Sequence, residues 1–265
     1  MSKFIQIVSS RRTWAWPYIL FMALFVLLPL VLVAVYAFTD IDGHFTLRNF
    51  AKFFTHSEAI STFLYSVMIA VFNTAICLLL GYPAAYIMAS ADYRTPKVMA
   101  MLFILPMWIN FLLRTVATVE PFNMCGLPLG EGALLFGLCY DYLPFMIYPI
   151  YNTLQKMDPS FVEAAQDLGA NRWKCFWKVI VPLSLPGVYS GIVMVFMPTV
   201  STFAIAELLT HNNIKLFGSL IQDYITTTDL LNYGAVLSLV LLVIIGVTSF
   251  FGDHDAKDDQ KGGLV

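Results

Sequence analysis

Residues 61–89 read STFLYSVMIAVFNTAICLLLGYPAAYIMA, a stretch without Asp, Glu, Lys or Arg. A helix needs about 20 apolar residues to cross roughly 30 Å of hydrocarbon, so this stretch is long enough to span a bilayer. A strand of a membrane barrel would be about half as long and would alternate apolar and polar residues. The stretch therefore predicts a transmembrane helix.

The rest of the chain has the same composition, with 59% hydrophobic and 12% charged residues among 265. Every backbone polar group in lipid must be satisfied within the protein, so long apolar runs predict helices. We predict an all-α integral membrane protein with six transmembrane helices, at about 14–38, 61–89, 98–119, 133–153, 187–206 and 233–251. The first block is too long and too aromatic for a cleavable signal peptide, and we expect a retained helix.

The distribution of basic residues predicts the orientation. With the N-terminus in the cytoplasm, eleven Lys and Arg lie in inside segments and three in outside segments, and basic residues resist translocation. We therefore expect both termini, and the connection 156–186, to be cytoplasmic. The predicted domains are a cytoplasmic segment 1–13, one permease domain 14–251 and an acidic, disordered tail 252–265.

The chain shows no motif of an enzyme or a metal protein. Its four cysteines lack metal-ligand spacing, and we expect them to be packing residues: Cys77, Cys125, Cys139 and Cys175. The phosphate-binding loop of ATPases, the Gly-x-Ser-x-Gly elbow and the His-Glu-x-x-His metal motif are all absent from the sequence. We expect no catalytic residue, no metal site and no cofactor in this chain, and nothing in it favours nucleic-acid binding.

The connection 156–186 is the most polar part of the interior of the chain. Ser160 and Glu163 have the spacing of a capping box, which predicts a short helix that ends at Gly169. A second short amphipathic helix is predicted from the apolar side chains of Trp173, Phe176, Trp177 and Val181. Small residues at the corner would let this pair of helices enter a cleft on another protein. Alternatively, the connection lies on the membrane surface, with its aromatic residues as interfacial anchors.

A family resemblance favours the first of these two interpretations, in which the connection 156–186 binds another protein. The pattern Glu163-Ala164-Ala165, then Gly169, then Val179-Ile180-Val181-Pro182 resembles the coupling loop of permease subunits of ATP-binding-cassette importers. The resemblance implies the type I importer permease fold, in which this loop seats in a groove of a separate ATPase. It assigns ATPase coupling to Glu163, Ala164, Ala165 and Gly169.

Further segments narrow the resemblance to the first permease subunit of spermidine/putrescine importers. They are 80–86, 105–108 with 113–115, 142–146, 165–170, 207–209, 216–218 and 221–223. Ferric-iron, sulfate and thiamine permeases share the general plan and remain alternatives for the substrate. The region 116–132 looks shorter than in those permeases, which leaves the start of the fourth span open.

The resemblance also implies the partners. They are a second homologous permease, a cytoplasmic ATPase dimer that holds ATP and Mg, and an extracytoplasmic solute-binding protein, all at a bacterial inner membrane. The competing hypothesis is a self-sufficient secondary transporter or channel. That class would favour internal repeats and an ion site on broken helices, and we find no convincing repeat.

A polyamine is a chain of methylenes with ammonium groups, so its path should pair carboxylates with aromatic faces. Candidates are Asp141 beside Tyr140, Glu207 after Phe203, and Trp108. Each has an alternative interpretation: Asp141 could pair with Arg114 or lie at an interface, Glu207 could mark the outer interface, and Trp108 could be a belt anchor.

Small residues mark two faces of the predicted helices. They are Gly187, Ser190 and Gly191 in the fifth block, and Gly234, Ala235 and Ser238 in the sixth. Small side chains let helix backbones approach closely within a membrane. We predict that a second permease subunit docks on these faces.

Overall fold

The computed structural model describes residues 11–40, 42–55, 57–90, 103, 105–226 and 230–262. These residues form helices and short turns, with one isolated antiparallel bridge between Thr39 and Phe45. The predicted all-α class is confirmed. Long apolar runs produce this outcome because a helix satisfies all its backbone hydrogen bonds within one segment.

The helices follow one another with short connections. Helix α1 comprises Arg11–Met22, a π-helical turn at Ala23–Leu27, and Leu28–Ala37. It is followed by α2 (Arg48–Thr55), α3 (Ser57–Ser90), a 3-10 turn (Leu105–Trp108), α4 (Phe111–Met124) and α5 (Glu131–Gln155). Next come α6 (Ser160–Asp167) and α7, which comprises Arg172–Cys175, a π-helical turn at Phe176–Ile180, and Val181–Ser201. The remaining helices are α8 (Ala204–Thr210), α9 (Phe217–Thr226) and α10 (Leu231–Gly262).

Five helices within the described residues are long and apolar enough to cross a membrane. They are Trp16–Ala37, Ser57–Ser90, Glu131–Gln155, Arg172–Ser201 and Leu231–Thr248. They match the first, second, fourth, fifth and sixth predicted blocks. The interior prolines of α5 do not interrupt it, and its helix is continuous from Glu131 to Gln155.

The third block differs from the prediction. Its described part consists of the 3-10 turn Leu105–Trp108 followed by α4, and not of one continuous helix over 98–119. Pro106 has no backbone N–H to donate, and the Asn110 side chain caps a new helix by accepting a hydrogen bond from the Leu112 backbone N–H at 2.9 Å. Residues 98–102 and 104 lie outside the described residues.

The fifth span begins earlier than predicted. The segment predicted as a separate second short helix is the first part of α7, which runs unbroken from Arg172 to Ser201. A π-helical turn at Phe176–Ile180 ends two residues before Pro182, which cannot donate a backbone hydrogen bond, and the helix continues past this proline. The span ends at Thr202, where the backbone becomes extended, so Glu207 lies on the separate helix α8.

The chain divides into two compact units, Met1–Ser57 with Ile221–Leu242, and Glu58–Leu220 with Val243–Val265. That 14–251 acts as one permease domain stays a prediction. Helix α10 continues to Gly262, so 252–262, predicted as a disordered tail, is helical, and 263–265 lie outside the described residues.

Within the first unit, polar side chains fasten the end of α1. The Asn49 side chain on α2 donates a hydrogen bond to the Thr39 carbonyl at 3.0 Å, and the Asn232 side chain on α10 donates to the same carbonyl at 2.6 Å. Gly234 lies against α9, where an added Cβ would be 3.2 Å from the Ile225 backbone nitrogen. This small-residue face is thus covered within the unit.

The core of the second unit lies where α3, α5 and α7 meet. Its buried side chains include Cys77, Ala85 and Met88 of α3, Met146, Ile147 and Ile150 of α5, and Val188 and Val195 of α7. A Cβ added at Gly187 would lie 2.8 Å from the Pro149 carbonyl oxygen, and one at Gly191 would lie 3.2 Å from the Met146 carbonyl oxygen. These glycines therefore face α5 of the same chain, and the prediction that they dock a second permease is wrong. For Ser190, which is exposed, docking stays a prediction.

The cysteines follow the prediction in part. Cys77 and Cys175 are buried and Cys139 is half-buried, as packing residues should be, whereas Cys125 is exposed. The described residues contain no group of three or more His, Cys, Asp or Glu side chains that could hold a metal ion.

Candidate functional site

The predicted coupling residues lie on and just after α6. Glu163 and Ala164 are exposed on this helix, while Ala165 is half-buried. The N-terminus differs from the predicted capping box, because Pro159 is at the N-cap position and the Asp158 carboxylate accepts a hydrogen bond from the Ser160 backbone N–H at 2.9 Å. That hydrogen bond lowers the pKa of the Asp158 carboxyl below its ordinary value.

Gly169 ends α6 as predicted. Its φ of +81° lies in the left-handed region that favours glycine. The Gly169 N–H donates to the Gln166 carbonyl at 2.8 Å and the Ala170 N–H donates to the Ala165 carbonyl at 3.0 Å, which together form a Schellman motif. The motif turns the chain sharply and leaves Leu168, at the corner, 90% exposed.

Apolar side chains attach this corner to the second unit's core. Val162 of α6 and Met157 before it pack against the cluster that contains Leu154 of α5 and Ile180 of α7. The Phe176 ring contacts α3, with its centroid 5.2 Å from that of Tyr86. The exposed face of α6 is therefore supported by three long helices.

The aromatic residues beside the corner remain largely outside the core. Trp173 is 71% exposed and Trp177 is 61% exposed. They were the proposed interfacial anchors in the alternative interpretation, and their exposure fits contact with either lipid or a protein partner.

A cavity of 660 Å³ lies elsewhere in the second unit, where the turn before α4 meets α5 and the end of α7. Its lining is largely aromatic and apolar, with a few polar groups: Met107, Trp108, Ile109, Asn110, Phe111, Arg114, Tyr142, Phe145, Pro198, Ser201, Thr202, Phe203 and Ala204. Trp108 and Phe203, both predicted on the substrate path, are in this wall. Arg114 is the one charged residue among the described lining residues.

Arg114 forms an ion pair with Asp141. The Arg114 Nε lies 3.2 Å from the Asp141 Oδ1, and the side chains are 6% and 0% exposed. The Thr115 hydroxyl donates a hydrogen bond to the Asp141 Oδ2 at 2.9 Å. On the other side, the Arg114 guanidinium carbon is 5.8 Å from the centre of the Tyr140 ring, within cation–π range. Of the alternatives left open for Asp141, the structure shows the pairing with Arg114.

The five predicted path residues thus fall into three places. Trp108 and Phe203 share the cavity wall, Tyr140 and Asp141 adjoin Arg114, and half-buried Glu207 is on α8. Asp141, Tyr140 and Glu207 are not among the described residues that line the cavity. Their roles in a substrate path stay predictions.

Sequence reasoning did not select most of the residues that belong to this site. Among those that it missed are the lining residues Asn110 and Phe145, and Thr115, which contacts Asp141. Asn110 carried a usable signal, because an Asn after an apolar proline-containing run is a typical helix N-cap. Phe145 carried none, because an aromatic residue within an apolar block is as frequent in a core as in a cavity wall.

Comparison with known proteins agrees with this architecture. Residues 58–256 match the family model of the binding-protein-dependent transport system inner membrane component. The spermidine/putrescine transport system permease protein PotB of Haemophilus influenzae is 31% identical over 249 residues, which is 85% of this chain and 87% of that protein. PotB of Escherichia coli K12 is 29% identical over 85% of this chain and 90% of its own length, and PotC of the same organism is 26% identical over 82% of each.

Solved structures show the same fold at lower identity. A bacterial transporter that imports the acidic polysaccharide alginate has a chain that matches 97% of this one and 99% of its own length, with a TM-score of 0.71 and 16% identity. The MetNI methionine transporter matches 75% of this chain and 94% of its own, with a TM-score of 0.60 and 16% identity. Both are ATP-binding-cassette transporters, and this chain shares the fold of the matching chains. This chain therefore belongs to the family of inner membrane components of binding-protein-dependent transport systems.

Proposed function

We propose that this chain is a permease subunit of an ATP-driven importer for the polyamines spermidine and putrescine. The similarity to PotB proteins over 85% of the chain is the observation on which the substrate depends. The aromatic cavity supports it, because aromatic faces suit both the methylenes and the ammonium groups of a polyamine. The chain crosses the bacterial inner membrane several times, with both termini in the cytoplasm.

The partners complete the transporter. A second, homologous permease encloses the path together with this chain, and an extracytoplasmic binding protein delivers the solute. A cytoplasmic ATPase dimer, which holds ATP and Mg, receives the corner formed by α6 and Gly169. The ATPase has to bind this corner with different affinity in its open and closed states, because a partner that binds both conformations equally shifts neither.

Glu163 and Leu168 are the side chains that the corner offers to the ATPase. Both are exposed, one as an acceptor for a charge-assisted hydrogen bond and the other as an apolar side chain that burial would stabilise. Val162 and Phe176 link the corner to α3, α5 and α7. A displacement of the corner by the ATPase therefore moves packed helices, which is how ATP hydrolysis on the partner is coupled to the path.

The coupling role is tested with Glu163→Ala in the complete complex in liposomes. A charge-assisted hydrogen bond contributes about 1.5–3 kcal/mol, so we expect the affinity of the ATPase for the permeases to fall about tenfold or more, with a parallel loss of uptake. Glu120→Ala, at an exposed position of α4, is the matched control and should change neither. Normal ATPase binding and uptake in Glu163→Ala would exclude the coupling role.

The substrate is tested by competition in the same liposomes. Uptake of labelled spermidine should be inhibited by putrescine and not by ferric iron, sulfate or thiamine. Trp108→Ala and Phe203→Ala should raise the KM for spermidine, while Asp141→Asn and Glu207→Gln should weaken uptake without dissociating the complex. Uptake of one of the other solutes in place of spermidine would refute the polyamine proposal and leave the permease assignment intact.

A further inference from the structure

Arg114 connects the cavity with the buried carboxylate of Asp141. Arg114 is one of the lining residues, whereas Asp141 is fully buried and is not among them. The two are joined by the 3.2 Å contact between Nε and Oδ1. A cation in the cavity therefore meets Arg114, which directly contacts the buried carboxylate.

The hydrogen bonding of the pair is incomplete. The Arg114 Nε and Nη1 atoms and the Asp141 Oδ1 atom are buried and have no hydrogen-bond partner, because the 3.2 Å ion-pair contact lacks hydrogen-bond geometry. The Nη2 group donates one long hydrogen bond of 3.4 Å to the Asp141 backbone carbonyl. Well-formed Arg–carboxylate pairs have two parallel bonds of about 2.7–2.9 Å. Oδ1 therefore retains capacity for a better donor.

The neighbours of the pair hold each partner separately. The Thr115 hydroxyl lies 2.9 Å from both the Asp141 Oδ2 and the Phe111 carbonyl oxygen and shares its one proton between them, so it still contacts the carboxylate when Oδ1 loses its contact. The guanidinium already lies 5.8 Å from the Tyr140 ring centre, and its Nη2 bonds the Asp141 carbonyl rather than the carboxylate. Arg114 can thus leave Oδ1 and keep two of its other contacts.

We propose that Arg114 is a resident cation that occupies Asp141 while the cavity is empty, and that an ammonium group of the polyamine replaces it at Oδ1. This inference rests on the proposed function. Without the guanidinium, the buried carboxylate would be an uncompensated charge, which is unfavourable in a membrane protein, and the resident cation neutralises it until substrate arrives. The displaced guanidinium then repels the bound ammonium, which keeps the substrate from binding too tightly to leave the path.

Two single variants should shift the kinetics in opposite directions. In Asp141→Asn the ammonium loses its carboxylate, so the KM for spermidine should rise about tenfold or more, as expected when one charge-assisted hydrogen bond is lost. In Arg114→Gln the carboxylate has no competing cation, so KM should fall and kcat should fall with it, because release becomes slower. A purely structural ion pair predicts instead that both variants lose assembled complex, with KM unchanged in what remains.

The double variant Arg114→Gln/Asp141→Asn decides the question even if a single variant fails to assemble, because it leaves no unpaired buried charge. We expect it to assemble in wild-type amounts with a KM for spermidine raised about tenfold, as in Asp141→Asn. A wild-type KM in the assembled double variant, or a KM that does not fall in assembled Arg114→Gln, would overturn the inference.

The wild-type complex is measured first, with labelled spermidine in liposomes. If the wild-type complex takes up spermidine and the double variant has the same KM, Arg114 is not a resident cation at Asp141, and the polyamine importer proposal stands. If the wild-type complex takes up no polyamine, both the resident-cation proposal and the polyamine importer proposal are refuted.

Discussion

Replacing Gly187 by alanine should push α7 away from α5. The new methyl group would lie 2.8 Å from the Pro149 carbonyl oxygen, about 0.6 Å inside the 3.4 Å at which ordinary van der Waals contact begins. A backbone carbonyl cannot rotate away as a flexible side chain does, so the cost lies near the upper end of the roughly 1–3 kcal/mol typical of overpacked cores. Alanine returns about 1 kcal/mol through its higher helix propensity.

We therefore expect a net loss of about 2 kcal/mol in the free energy of unfolding, a factor of about 30 in the equilibrium constant. For a protein of this size, that loss lowers Tm by roughly 4–8 °C. The assay is thermal unfolding of the purified transporter in detergent, followed by intrinsic fluorescence, with spermidine uptake as a second readout.

Gly246→Ala is the matched control, because Gly246 is also in a long apolar helix and an added Cβ there has no heavy atom within 4 Å. This variant should unfold at or slightly above the wild-type Tm. If Gly187→Ala also unfolds at or above the wild-type Tm, Gly187 does not set the approach of α7 to α5.

Three further predictions follow from local contacts. Asp158→Ala should speed amide hydrogen exchange in the first turn of α6, while Asp158→Asn, which keeps a capping acceptor, should not. Because the pKa of the Asp158 carboxyl is lowered, the charged cap is fully present above the ordinary pKa of an Asp carboxyl and is lost only as the pH falls through the lowered pKa of the folded state. The sulfurs of Cys77 and Cys139 are 3.8 Å apart, so copper phenanthroline should oxidise them to a disulfide between α3 and α5. Mass spectrometry would detect the linked peptides, and recovery of only free thiols would contradict this packing. Phe176→Ala should remove the ring contact with Tyr86 and lower uptake more than ATPase binding, in the liposome assay; equal loss of both would argue against transmission through α3.

The transmembrane helices could be predicted where apolar length alone decides the outcome. Residues 61–89 and 133–153 became parts of single helices, including across Pro144 and Pro149, because a helix in lipid has no competing way to satisfy its backbone. Residues 98–119 failed as one span, because Pro106 and the Asn110 cap redirected the chain. Mean hydropathy over a window does not register a single proline or a single capping side chain, so it cannot predict such a break.

In the candidate sites, too, local features could be predicted from the sequence and contacts between distant segments could not. Gly169 could be predicted as the end of α6, because a left-handed turn is a local requirement for glycine. The Arg114 ion pair was one of several open alternatives for Asp141, because α4 and α5 meet through packing between residues 27 positions apart. The cavity that contains Trp108 and Phe203 likewise joins distant segments.

The sequence by itself determined that this protein is helical, lies in a membrane and has a charged corner between its fourth and fifth predicted spans. Those features depend on residue type and spacing within one segment, where hydrogen bonding and hydration act locally. Only the tertiary structure decided that Gly187 and Gly191 face α5 and that Arg114, which lines the cavity, pairs with Asp141. The physical reason is that helix packing depends on which faces meet, and each apolar helix offers several faces of similar hydrophobicity.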